Sequence, residues 1–319
     1  MAKSSLISNP LISICIPAYN CGKYILETLN CLCAQTYSPI EIIVVNDGST
    51  DDTEAVIKQV TDERIRLIFI SNGGAAKARN VAFNNAKGEY IVFFDADDFV
   101  KPDFIMSQAD KIQGRKDAVV LALWGRFYND DLQTFKLNDT PVDEMTFEEW
   151  IKYYWCRCNP MTNPGRALIP VTLVKEAGLW NEELSLNDDL EFFTRVFLKT
   201  KKLLFNHDAI FYYRSGISGL SGEKSDKAYK SLYNSILFSV NNVLSAYDYD
   251  QSLLKSCANM WQSFIYEVYP FQKKYLQLAN AEIKNLMRPD YRFMASGYTK
   301  YLVKIIGWKL TKKIKLALK

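Results

Sequence analysis

Four short apolar runs in the first hundred residues, separated by stretches of helical spacing, constrain this chain more than any other feature. The runs are Leu11–Ile16, Glu41–Val45, Ile65–Ile70 and Glu89–Phe94. Helical patterns lie between them at about 22–35, 50–60 and 75–86, the last with Ala78, Ala82 and Ala86 along one face. Runs without polar alternation predict strands covered on both faces. Strand and helix taken in turn predict an α/β fold, a Rossmann-like, mainly parallel sheet flanked by helices. Ligands of such sheets bind beyond the carboxyl ends of the strands. Those ends carry Pro17-Ala18-Tyr19-Asn20, Asn46-Asp47-Gly48-Ser49, Ser71-Asn72-Gly73-Gly74 and Asp95-Ala96-Asp97-Asp98.

Several function classes fall away at once. The first strand lacks the G-x-G-x-x-G of a dinucleotide fold, and no G-x-x-x-x-G-K-[ST] phosphate loop is present. A single histidine, His207, excludes mechanisms and zinc sites that need two. With 39 basic and 36 acidic residues the net charge is +3, too small a surplus for a dedicated nucleic-acid binder. The seven cysteines are odd in number, and Cys15 lies within a strand run, so reduced thiols in a cytoplasmic protein are expected. The Cys31-x-Cys33 and Cys156-x-Cys158 pairs are spaced too tightly for the usual zinc knuckle and read as small buried side chains. Residues 1–10 carry no signal-peptide pattern, and no window is apolar enough to span a bilayer.

The richest chemistry sits at the fourth strand end. Three carboxylates, Asp95, Asp97 and Asp98, crowd four positions, and their repulsion calls for a cation, hydrogen-bond donors or protonation. Carboxylate oxygens suit Mn²⁺ or Mg²⁺, which commonly completes its shell with water and substrate phosphates. An acidic turn that merely opens the next helix is the structural alternative. A second acidic stretch, Asn187-Asp188-Asp189, stands where another helix should begin, with Asn187 as a plausible N-cap. A helix start favours ionised carboxylates, so Asp189 is expected to stay charged there.

In their order along the chain, Ile14–Asn20, Val44–Asp51, Asn72-Gly73-Gly74 through Arg79-Asn80, Phe94–Asp98 and the later Gly178–Phe193 resemble the family-2 inverting glycosyltransferases of the GT-A fold. The likeness is close over about 10–105 and looser to about 220. It implies a GT-A domain over 1–222, with a donor half at about 10–105 and an acceptor and base half at about 106–222, and a mainly helical region over 223–319. It also implies a nucleotide-sugar donor, more often a UDP-sugar than a GDP- or dTDP-sugar, and a saccharide, lipid-linked or small-molecule acceptor.

Carried onto this chain, the resemblance places Pro17, Ala18, Tyr19 and Asp47 around the base, and Arg79 near base and phosphates. Asp95, next to Ala96, would meet the ribose and Asp97 the divalent cation, with Asp98 an alternative ligand. Asp189 would be the general base. Trp155, Arg166, Trp180, Asp188 and Arg214 would face the acceptor, although aromatic residues in this region also suit a core. Phe211-Tyr212-Tyr213-Arg214 resembles the aromatic-Arg run after which relatives often have a histidine; here Gly216 and Ile217 stand there, so a histidine ligand is not expected. A glycosyltransferase-like module that binds without turnover is the alternative to an enzyme.

The last twenty residues mix Lys300, Lys304, Lys309, Lys312, Lys313, Lys315 and Lys319 with Tyr301, Ile305, Trp308 and Leu310, without one acid. A basic amphipathic segment of this kind can lie on anionic lipid at the inner face of a membrane, or pack on its own domain or a second copy.

Overall fold

The computed structural model describes residues 9–138, 142–160, 162–217, 224–248 and 250–318. The expected boundary at 222/223, Lys319 and the first eight residues lie outside them. Two compact units emerge: 1–147 with 162–222, and 148–161 with 223–319.

The first unit is built on one ten-stranded sheet. In chain order its opening elements are β1 (Ile12–Ala18), α1 (Gly22–Cys33), β2 (Ile40–Asn46), α2 (Thr53–Ile57), β3 (Ile65–Phe69), α3 (Ala75–Asn85) and β4 (Tyr90–Phe93). β1 to β4 are parallel in the order β3-β2-β1-β4. β1, β2 and β4 are buried almost throughout, as their unbroken apolar runs require. α1 buries Ile25, Leu29 and Leu32 along one helical stripe, and α3 packs against β1 and β2.

The rest of the sheet is mixed. β5 (Phe99–Val100), α4 (Phe104–Ile112), β6 (Ala118–Tyr128), β7 (Asp131–Leu137) and β8 (Glu144–Met145) lead to α5 (Phe147–Trp150), where the chain passes to the second unit. It returns with β9 (Ala167–Pro170), α6 (Val171–Ala177), α7 (Asp188–Lys199) and β10 (Lys202–Ser215). β9 runs antiparallel between β4 and β6, and the long β10 pairs parallel with β6. Residue patterns alone predict helices around 103–113 and 147–156, a strand around 118–123 and a helix start near 187, in line with α4, α5, β6 and α7, but not β5, β7, β8, β9 or β10. These are short or interrupted by polar residues, as in Asn206-His207-Asp208, and their pairing depends on partners remote in sequence.

An aromatic cluster ties the two halves of this unit. Trp180 stacks on Phe192 of α7 with ring centroids 4.0 Å apart, and Phe93 of β4 meets both rings edge-on at 5.3 and 5.5 Å. This fixes the start of α7 against the end of β4.

The second unit contains a π-helical turn at Ile151–Trp155, α8 (Asp226–Ala246), α9 (Gln251–Val268), α10 (Lys273–Lys284) and α11 (Thr299–Ala317). Its core gathers Tyr233, Trp261, Phe264 and Tyr275. Residues 148–161 belong here because Lys152 pairs with Asp250 at 2.9 Å and the Asn259 amide donates to the Cys156 carbonyl at 2.8 Å. α11 is two helical pieces broken at Gly307, whose positive φ of 73° suits glycine.

Candidate active site

The carboxyl ends of β1, β2 and β4 assemble the expected loops. Ala18 is buried, Pro17 is half-buried and Tyr19 stands 51% exposed, available for a flat ring to lie against. Asn20 locks this loop to the next: its amide oxygen accepts from the Thr50 backbone N–H, and its own N–H donates to Ser49 Oγ.

Asp47 is buried, and the 72–74 loop already uses both its oxygens. Oδ1 accepts from the Gly73 N–H at 2.7 Å and Oδ2 from the Gly74 N–H at 2.8 Å. Its shaping of that loop is therefore direct, and a base N–H would have to share these oxygens, which a carboxylate's lone pairs allow. Gly48 permits the close approach: its φ is +70°, and a Cβ there would come within 2.9 Å of the Asn72 nitrogen.

Gly74 opens α3, which carries Arg79 into the interior. One guanidinium arm of Arg79 donates to Asp95 Oδ1 at 2.8 Å and the other to Asp188 Oδ2 at 2.9 Å, while its plane lies 4.4 Å over the Trp180 ring. Burial works against the charge, but Asp95 and Asp188 outweigh it and hold the group firmly protonated. Asn80, next on α3, accepts from the Trp180 N–H and donates to the Trp180 carbonyl and to Glu182. Arg195 of α7 clamps the same loop through the carbonyls of Ala177, Gly178 and Leu179.

The acidic loop after β4 is fixed from the far side. Arg214 of β10 donates its backbone N–H to Asp98 Oδ1 and its Nε to the Asp97 carbonyl. Its terminal nitrogens bind Asp130 and Glu27. Thr28 Oγ1 donates to the carbonyls of Ala96 and Asp98. The side chain of Asp97 is half-buried, and no other side chain hydrogen-bonds to it among the described residues. Burial, then the neighbouring Asp95, pushes its carboxyl up to about 7. Burial and Asp97 drive Asp98 well above the usual carboxylate range, and Asp98 Oδ2 is buried without a partner.

α7 begins at Asp188. Asn187 precedes it in the left-handed conformation that Asn tolerates, and its side chain does not cap the helix. The acids serve instead: Asp188 Oδ1 accepts from the Asp189 N–H, and Asp189 Oδ1 from the Leu190 N–H. Asp189 Oδ2 accepts from Thr162 Oγ1 at 3.3 Å. The expectation of an ordinarily ionised Asp189 is corrected here. Burial first, then the charge of Asp188, raises its carboxyl to about 7, more than the hydrogen bond from the helix start and Arg79 lower it. The residue is half-buried.

The model of the family described as "Glycosyl transferase family 2" matches residues 13–217. The chain belongs to glycosyl transferase family 2. Glycosyltransferase GlyG of Streptococcus pneumoniae is 34% identical over 220 residues, 64% of this chain and 70% of that protein. An uncharacterised glycosyltransferase of Rickettsia typhi is 32% identical over 205 residues, so that the match spans 63% of each chain, just under two thirds. Among solved structures, Staphylococcus aureus TarS 1–349, described in complex with UDP-GlcNAc, superposes with a TM-score of 0.68 at 21% identity. The likeness covers 86% of this chain and 81% of that one. At that identity the likeness concerns the fold, which is GT-A. This family-2 chain is a glycosyltransferase.

Within the family-2 framework, the acceptor-facing candidates scatter. Asp188 and Trp180 are buried, Asp188 paired with Arg79 and Trp180 stacked on Phe192. Arg166 is buried, with Nε on the Ala122 carbonyl. Trp155 is buried in the second unit. Arg214 binds the acidic loop. Thr162, Glu27, Asp130 and Arg195 escape the sequence reading; only the Glu191–Arg195 pair, four residues apart on a helix, leaves a legible signal.

Proposed function

We propose that the chain is a metal-dependent inverting glycosyltransferase that moves a sugar from a nucleoside-diphosphate sugar, a UDP-sugar in the first instance, to an acceptor hydroxyl. One observation carries the reading: a half-buried carboxyl raised to about 7, Asp189, stands next to the Asp188–Arg79–Asp95 bridge that runs to the acidic loop. A base of that strength is matched to proton transfer near neutral pH. Asp189 would take the acceptor proton as the new C–O bond forms at the anomeric carbon and the bond to the diphosphate breaks. In-line attack on an α-linked donor gives a β-linked product. UDP is favoured as the nucleotide because the TarS likeness is to a protein described with UDP and UDP-GlcNAc.

The acidic loop fits Mn²⁺ or Mg²⁺. The unpartnered, buried Asp98 Oδ2 and the raised Asp97 carboxyl mark excess negative charge, which a hard cation relieves. Asp97 would hold the ion, with Asp98 beside it. Among the described residues no three such side chains form a ready metal cage, so phosphate and water oxygens would complete the shell. An ion held by Asp97 would supply positive charge against the charge gathering on the departing diphosphate. Asp95, held by Arg79, would keep one oxygen free for ribose hydroxyls.

Donor hydrolysis and thermal shift with a panel of nucleotide sugars, with and without Mn²⁺, test the proposal. UDP-sugar stabilisation that requires the cation, with slow hydrolysis lost in Asp189→Asn, is the expected result. Binding without any turnover in the intact chain would instead favour a binding module.

A further inference from the structure

The charge of this chain is unevenly placed. Residues 291–319 hold eight of the 39 basic residues and none of the 36 acidic ones, which leaves the rest with 31 basic against 36 acidic. α11, within that stretch, has two distinct sides. Trp308 turns inward, 4.7 Å from the Tyr266 ring and 5.1 Å from Tyr269, and stacks on Phe293. Thr311 is buried, and Lys312 Nζ donates to the Tyr266 and Glu267 carbonyls. Spaced one and three residues apart, these side chains satisfy the inner stripe of the helix.

The first helical piece presents the opposite kind of face. Tyr298, Tyr301 and Ile305 recur at helical spacing and are 63%, 70% and 79% exposed; Met294 precedes them at 76%. Lys300 and Lys304 are exposed among them. Isolated exposed apolar residues are ordinary, but four in sequence on the one strongly basic segment are not.

We propose that this face docks onto the surface of an anionic lipid bilayer. The lysines meet headgroup charge, the tyrosines suit the wet boundary, and Ile305 and Met294 enter the acyl region. Charge argues against a second copy packed face to face, since a twofold contact sets like charges together. A phosphate backbone would match the lysines but leave Ile305 and Met294 in water. No helix among the described residues is long and apolar enough to cross a membrane, so the contact is one of lying on the surface.

Vesicle flotation of the full chain tests this independently of catalysis. Vesicles of phosphatidylcholine with phosphatidylglycerol should carry the protein at low salt, while phosphatidylcholine alone should not. The pair Tyr301→Ser with Ile305→Ser, and the pair Lys300→Glu with Lys304→Glu, should each weaken binding by about tenfold or more. Melting followed by circular dichroism verifies that these surface variants fold. Failure of the intact chain to float at low salt overturns the proposal, as does unchanged binding in the folded variants. Sedimentation that reveals a dimer abolished by the same substitutions would assign the face to a second copy and equally overturn it.

Discussion

Arg79 holds Asp95 on one arm of its guanidinium and Asp188 on the other, at 2.8 and 2.9 Å, and so joins the end of β4 to the start of α7. Only a planar, forked cation can serve two carboxylates in this way. The bridge neutralises Asp188, whose full charge would otherwise raise Asp189 beside it still further. Arg79 thus connects the residues proposed for donor and for base.

Arg79→Met should leave two carboxylates facing each other in a buried site. A loss of roughly 3–5 kcal/mol in urea unfolding is expected, with Arg79→Lys losing less, because an ammonium keeps the charge but not the fork. Equal stability of all three proteins would show that the bridge is dispensable.

Asp189→Asn should lower transfer by about 10²–10⁴-fold while nucleotide-sugar binding survives. In the intact enzyme, protonated Asp189 cannot accept the acceptor proton, so kcat/KM should fall as pH drops through about 7, the value to which burial and Asp188 raise it. A flat profile from pH 6 to 8, roughly a decade either side of that value, would exclude Asp189 as the titrating base.

The same raised carboxyl has a stability consequence. The folded state favours protonated Asp189, so stability present below the ordinary carboxylate pKa is lost as pH rises toward 7. At pH 8 the Asn variant should therefore melt higher, by roughly 1–2 °C for each ~1 kcal/mol in a chain of this size. Calorimetry at pH 5 and 8, on either side of about 7, should show the gap widening with pH.

Asp97→Ala should abolish Mn²⁺-dependent binding of a nucleotide sugar and preserve the melting transition. Isothermal titration with and without the cation reads this directly. Affinity that ignores both the substitution and the metal would remove Asp97 from the donor site.

Trp180 separates a scaffold role from an acceptor role. Its stack on Phe192 and edge contact with Phe93 predict that Trp180→Ala costs roughly 3–5 kcal/mol in stability, the range for emptying an aromatic site in a core. A variant of unchanged stability that only raises the acceptor KM would restore the sugar-facing reading.

The amino-acid sequence by itself determined the parallel β1–β4 framework, the loops at its carboxyl ends and the family, because unbroken apolar runs and short motifs are local properties. It also placed Asp97 and Asp189 in acidic clusters at element ends. Tertiary structure alone decided what those side chains meet. That Asp47 is drawn to Gly73 and Gly74, that Arg79 reaches an aspartate 109 residues away, and that Arg214 grips a loop 117 residues earlier are facts of folding, with no sequence period to announce them. The pKa of Asp189 belongs to the same class. The helix start near it was legible in the residues, but the burial that outweighs it arises only when β4, α7 and the 162–166 turn close around one another.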